Sequence, residues 1–295
     1  MDRSIDGGAM SAPMLCSRHE AELHRAPPTV TSSAELIHNS FRLLRDERVL
    51  VTGASSFIGR HLVQYLRTSG IHVSTIDGRG DVDLNDVDAA RTAVASSQPT
   101  LVFHLAALPD QGHASGDMSI AGATVRIAEH LANVVPTSAR IVTVGSAKQY
   151  PMSHRRWHEH ARPSLTTAYG RAKREAEDVI TRQHPEATAV RLGPVYGGRQ
   201  PEAALIPKAF QHFSKNESSF VVESALWAPL YLRDCLEALA LSASTSAARG
   251  EIINVGGLRA YTVLEVAQHV ARSSGWSSEA IRDNVRELPG RHQGL

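Results

Sequence analysis

Short apolar runs alternate with longer segments whose apolar residues recur every three or four positions, starting near residue 48. Val49, Leu50 and Val51 lead into Thr52-Gly53-Ala54-Ser55-Ser56-Phe57-Ile58-Gly59, and Ile58, Leu62, Tyr65 and Leu66 then share one helical face. This predicts a strand, a glycine-containing turn and a helix that stops at Gly70. A second strand is expected over 71–76, with Asp77 at its end. Residues 80–84 read as a short third strand or a turn, and Val87, Ala90 and Val94 mark a helix. A fourth strand is expected over 101–107, a long helix over 120–134 and a fifth strand over 141–144, which runs into Gly145-Ser146. Another helix opens near Thr167. Strands alternating with helices predict an α/β protein with a doubly wound parallel sheet covered on both faces.

The pattern changes at both ends. Residues 1–31 are polar and without period, and Ser32-Ser33-Ala34-Glu35 resembles a capping box opening a short helix with Leu36, Ile37, Phe41 and Leu44 on one face. Beyond Arg191 the elements are shorter: a helix over 203–213, a strand over 220–222, a helix over 232–241 and a strand over 252–255. Thr262-Val263-Leu264-Glu265 is a second capping box, opening a helix through Ala271. We therefore expect an extension (1–46), a dinucleotide-binding domain (47–192) and a smaller C-terminal substrate lobe (193–295).

Composition narrows the classes. A chain of 295 residues, 42% hydrophobic, can bury a sizeable core. A net charge of +1 gives no field that draws nucleic acid or a membrane surface. Cys16 and Cys235 make neither a disulfide framework nor a metal site, which suits a reducing cytoplasm. No apolar run has the length of a membrane span or of a secretion signal.

The chemistry gathers where strands end. Gly53 permits a tight turn and Gly59 a close helix–strand approach, while the free N–H groups of Phe57 and Ile58 face a pyrophosphate. Ser56 stands at the middle glycine position and brings a hydroxyl near the phosphates. Asp77, 24 residues past Gly53, is placed for the adenosine ribose hydroxyls and favours NAD; Arg79 and Arg60 nearby offer a 2′-phosphate site instead. Asp83 and Leu84 edge the adenine, and Leu105, Ala106 and Ala107 let the cofactor lie close. Tyr169 and Lys173 are four apart on one helical face, where an ammonium favours the phenolate. Ser146 is positioned to hold the same substrate oxygen by a hydrogen bond.

The stretches VTGASSFIGRHL, VFHLAA, VGSAKQY, AYGRAK, VRLGPVYGGRQ, YLRDCLEALAL and GEIINVGG resemble the extended short-chain dehydrogenase/reductases, the NAD-dependent epimerase/dehydratase group acting on nucleotide sugars. The resemblance implies a Rossmann-type domain and NAD, or NADP, as cofactor. It implies Ser146, Tyr169 and Lys173 as catalytic serine, tyrosine and lysine, with Lys173 also bonding the nicotinamide ribose. It implies hydride exchange at a sugar carbon, usually C4, by an epimerase or a 4-ketoreductase, and a homodimer formed beside the catalytic helix. Ala147-Lys148 follow Ser146 where the dehydratases carry an acid pair, which argues against dehydration. Pro194 and Trp227 replace an asparagine and an arginine of the family pattern that help hold the sugar nucleotide, and Ser119 replaces a common asparagine. Tyr196, Arg199, Trp227 and Arg291 are candidates for base or diphosphate contacts, and family members commonly continue beyond the length seen here. His154, His158 and His160 lie on a loop whose spacing reads as solvated or substrate-facing rather than metal-binding. The rival class is a cofactor-binding sensor or scaffold without turnover; the presence of both Tyr169 and Lys173 argues against it.

Overall fold

The computed structural model describes residues 41–77, 82–108, 118–151, 157–161, 167–217, 219–223 and 225–288, with the side chains of 118–120 left out. Residues 32–37, Arg79, the Ser119 side chain, His154, Arg155, Arg156 and Arg291 lie outside this set.

The central sheet contains β1 (Val49–Thr52), β2 (Val73–Ile76), β3 (Leu101–His104), β4 (Arg140–Ser146), β5 (Thr188–Leu192) and β10 (Ile252–Val255). Its order is β10-β5-β4-β3-β1-β2, and every pairing is parallel. The fold is α/β, a Rossmann-type sheet between helices. Helices α1 (Phe57–Thr68), α2 (Val87–Ser97), α3 (Met118–Val134) and α4 (Ala168–Gln183) connect the strands in turn. Such sheets show near-continuous apolar strands because both faces are covered. Val49, Val51, Leu101 and Phe103 face one core, with Leu62 and Leu66 of α1. Leu50, Val102 and Ile141 face the other, with Val94, Leu131 and Ile180 from α2, α3 and α4. Phe41 and Leu44 are buried in the first core, as the sequence pattern expects of that stretch.

Of the two readings of 80–84, the turn is the one found over the described residues: the Asp83 carboxylate accepts from the Asn85 backbone and side-chain N–H groups, both at 2.9 Å, and Asp86 then caps α2. One element falls elsewhere than the sequence suggests: the sixth strand of the sheet comes from 252–255, beyond the lobe boundary at 193. Helix α6 (Leu232–Ser244) also returns to the sheet, burying Leu236, Leu239 and Ala243 in the first core. Its last carbonyls, those of Ser242, Ala243 and Thr245, accept from the Arg140 guanidinium at the start of β4. A cation there complements the negative helix end.

A third core forms from later elements: α5 (Leu205–Ser214), β7 (Phe220–Val222), α7 (Val263–Ser273), α8 (Ser278–Asn284) and β12 (Val285–Glu287). The Thr262–Glu265 capping box that opens α7 is complete. Between these stretches run the short pairs β6 (Val195–Tyr196) with β9 (Leu230–Tyr231), and β8 (Leu226–Trp227) with β11 (Tyr261–Thr262). Among the described residues no helix is long and apolar enough to cross a membrane.

Candidate active site

Strand order reverses around β1, whose neighbours are β2 and β3, so a crevice opens beyond the carboxyl ends of β1 and β3. The glycine turn occupies this place. Gly53 has φ +69°, and a Cβ there would lie 2.8 Å from the Ala106 backbone nitrogen. A Cβ on Gly59 would fall 2.2 Å from the Gly53 carbonyl, so the start of α1 is pressed onto the turn. Ser56 is the N-cap of α1, and its hydroxyl accepts from the Gly59 N–H at 3.1 Å, which leaves its own proton to donate. Phe57 and Ile58 follow in the first turn, where N–H groups have no acceptor within the helix. The cradle therefore fits a dinucleotide diphosphate: backbone donors at a positive helix end, with side-chain bulk kept out by sterics.

Asp77 stands just past β2, and its Oδ1 accepts from the Ser55 hydroxyl at 2.6 Å, which ties the carboxylate to the phosphate turn. The Arg60 guanidinium donates to the Arg199 carbonyl and lies over the Phe57 ring. Leu84 is buried in the core, so only its backbone can border a ligand. Leu105, Ala106 and Ala107 follow β3; Leu105 is buried and the two alanines are half-buried beside Gly53.

Ser146 ends β4, and its hydroxyl accepts from the Lys148 N–H at 3.2 Å as the chain turns through Ala147–Gln149. Thr167 caps α4, whose first turn carries Tyr169 and whose second carries Lys173. Tyr169 is half-buried and Lys173 is buried. Burial pushes the Lys173 ammonium down to about 8, partly offset by Glu177. Behind it lies His104, whose Nδ1 is 2.8 Å from the Thr52 hydroxyl; burial, helped by the Lys173 charge, pushes its pKa down to about 3. His104 is thus a neutral core residue beside the lysine.

The Lys173 shift has a measurable sign. The folded chain holds that proton more weakly than the unfolded chain, so charged Lys173 costs about 3 kcal/mol. The cost is full below about pH 8 and relieved as the pH rises toward the ordinary lysine value of 10.5. Urea denaturation is expected to show stability rising over this window, and Lys173→Met should flatten the rise. A rise that persists in the variant rejects this account.

Sequence reasoning missed the network behind the site. Glu177, one turn past Lys173, accepts a bidentate pair from Arg191 of β5, at 3.0 Å to Nε and 2.6 Å to Nη2. Arg191 also donates to the Tyr150 hydroxyl and to the Glu159 carbonyl. Tyr150 donates to Asn254 of β10 at 2.9 Å, and the Asn254 N–H donates to the Glu159 carboxylate at 2.9 Å. Gln149 completes the set, donating to Glu177 at 3.0 Å. The available signal was a glutamate eight positions after Tyr169, on the helix face that carries the lysine.

The remaining candidates are dispersed. Trp227 sits at the third core and Tyr196 packs against Tyr231 at 5.5 Å. Arg199 offers its carbonyl to Arg60. Tyr196, Phe210, Pro229, Tyr261 and His269 line a cleft of about 560 Å³. Among the described residues no cluster of histidine, cysteine and carboxylate is placed for a metal ion. Cys235 is a buried thiol that burial pushes up to about 12.

Comparison with known proteins gives a consistent result. Residues 49–256 match the NAD dependent epimerase/dehydratase family. A dTDP-4-dehydrorhamnose reductase of Streptomyces griseus is 29% identical over 220 residues, 71% of each chain. A dTDP-4-keto-6-deoxy-D-glucose reductase of Streptomyces niveus is 33% identical over 157 residues, 51% of this chain and 54% of that protein. The structure of MoeE5 in complex with UDP-glucose and NAD superposes with a TM-score of 0.70 at 26% identity, covering 83% of this chain and 90% of that one.

Proposed function

The chain belongs to the NAD dependent epimerase/dehydratase family, and on that premise we propose that it is an NAD(P)-dependent oxidoreductase that reduces the C4 keto group of a nucleotide-activated sugar. One observation carries the reading: Tyr169 and the buried Lys173 lie one helical turn apart on α4, next to Ser146 at the end of β4 and the diphosphate cradle at the end of β1. The reductases of 4-keto sugars among its relatives support the direction.

In this reading the glycine turn, with the N–H groups of Phe57 and Ile58, holds the diphosphate, and Asp77 receives the adenosine ribose. Asp83 and the Leu84 backbone border the adenine, the backbones of Leu105, Ala106 and Ala107 flank the cofactor, and Lys173 bonds the second ribose. The bound nicotinamide supplies hydride. Ser146 keeps its hydroxyl proton free for the substrate oxygen, because its lone pair already accepts from Lys148. Tyr169 gives its phenolic proton to that oxygen as the carbonyl becomes an alcohol. Lys173 stabilises the phenolate left behind. The aromatic walls of the second-lobe cleft offer stacking surfaces to a nucleotide base.

A second reading, C4 epimerisation with retained NAD, is favoured by the carboxylate that Ser55 holds at the phosphate turn, since a 2′-phosphate would meet like charge there. Mass spectrometry of the supernatant from denatured protein separates the two. The expected result for the reductase is an empty or exchangeable site and oxidation of reduced nicotinamide by a dTDP-4-keto-6-deoxy sugar. Tightly retained NAD with interconversion of C4 epimers would replace it. Retained cofactor with neither activity would leave the non-catalytic sensor.

A further inference from the structure

We propose that Lys148 is a second cation acting on Tyr169, stabilising its phenolate across the ring face and so helping to set the pH at which the tyrosine exchanges its proton. The inference rests on reading Tyr169 as the acid/base. The Lys148 ammonium lies 5.8 Å from the centroid of the Tyr169 ring. A cation over the face of a neutral phenol gains a modest quadrupole attraction. Once the ring is ionised the same cation meets a full negative charge, so its presence favours the ionised form.

The lysine is held in place by its backbone. Its N–H donates to Ser146, and its carbonyl lies against α4 so tightly that a Cβ on Gly170 would come within 2.4 Å of it. The next residue, Gln149, is fully buried and anchored to Glu177. The turn that presents Lys148 is thus pinned to the helix that presents Tyr169.

The other charges around the phenol leave this cation a separate part. Lys173 approaches from the following turn of α4, and its burial brings neutralisation near pH 8, above which its pull on the phenolate fades. Lys148 is exposed and reaches the ring from the turn after β4. Tyr169 also lies in the first turn of α4, where the positive helix end adds to both. Among the described residues, Glu177, an acid on the same helix face, is paired with Arg191, and His104 on β3 carries no charge. An exposed cation at such a distance is expected to move the tyrosine titration by about 0.5 to 1 pH unit, less as salt is added.

The test uses the full chain labelled with ¹³Cζ-tyrosine, titrated by NMR without substrate; the resonance absent in Tyr169→Phe identifies Tyr169. In Lys148→Met the Tyr169 midpoint is expected to rise by about 0.5 to 1 unit at low salt, with the difference shrinking in about 0.5 M salt. Lys148→Arg should titrate like the parent chain, and the pH profile of turnover should move with the NMR midpoint. If Lys148→Met superposes on the parent while Lys173→Met moves the midpoint, the role of Lys148 is lost and the acid–base reading stands. If Tyr169 titrates near the free value of about 10 in the parent and neither lysine moves it, both fall together.

Discussion

Tyr169→Phe is expected to lower turnover of a 4-keto nucleotide sugar by about 10²- to 10⁴-fold while leaving cofactor affinity unchanged. The substitution removes one oxygen and keeps the ring. The helix cap at Thr167 does not involve the tyrosine side chain, and the ring face over which Lys148 lies is retained. What disappears is the proton that must reach the substrate oxygen as the carbonyl is reduced. Ser146 cannot supply it readily, since an aliphatic hydroxyl is a far weaker acid than a phenol, whose ring spreads the negative charge. Steady-state kinetics, with cofactor binding followed separately by fluorescence quenching, would check this. Full turnover in the variant would remove Tyr169 from the chemistry and shift attention to Ser146.

The largest effect on stability is expected at Arg191. Its side chain is 0% exposed, that of Glu177 only 2%. Each charge has left water, and their bidentate contact offsets that loss. Arg191→Met should destabilise the chain by about 3 to 5 kcal/mol, because the Glu177 carboxylate then stays buried without its partner. Glu177→Leu added to Arg191→Met should recover most of the loss, since removing both charges removes the uncompensated burial. Equilibrium denaturation of the two single variants and the double variant closes the cycle. A double variant as unstable as the sum of the single ones would mean that Arg191 acts mainly through Tyr150 and the Glu159 carbonyl rather than through Glu177.

The core of the fold was legible because parallel strands buried on both faces write themselves as short apolar runs, and 49–51, 101–103 and 141–144 are such runs. The glycine turn and the spacing of Tyr169 and Lys173 were legible because both depend on local geometry alone. Residues 80–84 read two ways because Val82 and Leu84 alternate with acids as an edge strand would, while Asp83 closes a turn on Asn85. The strand at 252–255 was visible, but its neighbour was not: pairing with β5 spans about sixty residues, and nothing local in Ile-Ile-Asn-Val records it. The Glu177–Arg191–Tyr150–Asn254 network was hidden for the same reason, its members coming from four separate elements.

The return of 252–255 to the sheet has a consequence for synthesis. While the chain grows, the outer edge of β5 remains bare until Val255 has left the ribosome, and the Asn254 partner of Tyr150 is missing for as long. The sheet is then complete on one side only, with an open strand edge of the kind that pairs indiscriminately. Residues 193–251 emerge between two neighbouring strands of the same sheet, one ending at Leu192 and one starting at Ile252. A polypeptide cut at 192 would lack the last strand of its own sheet, so separately produced halves should recover structure when mixed rather than singly.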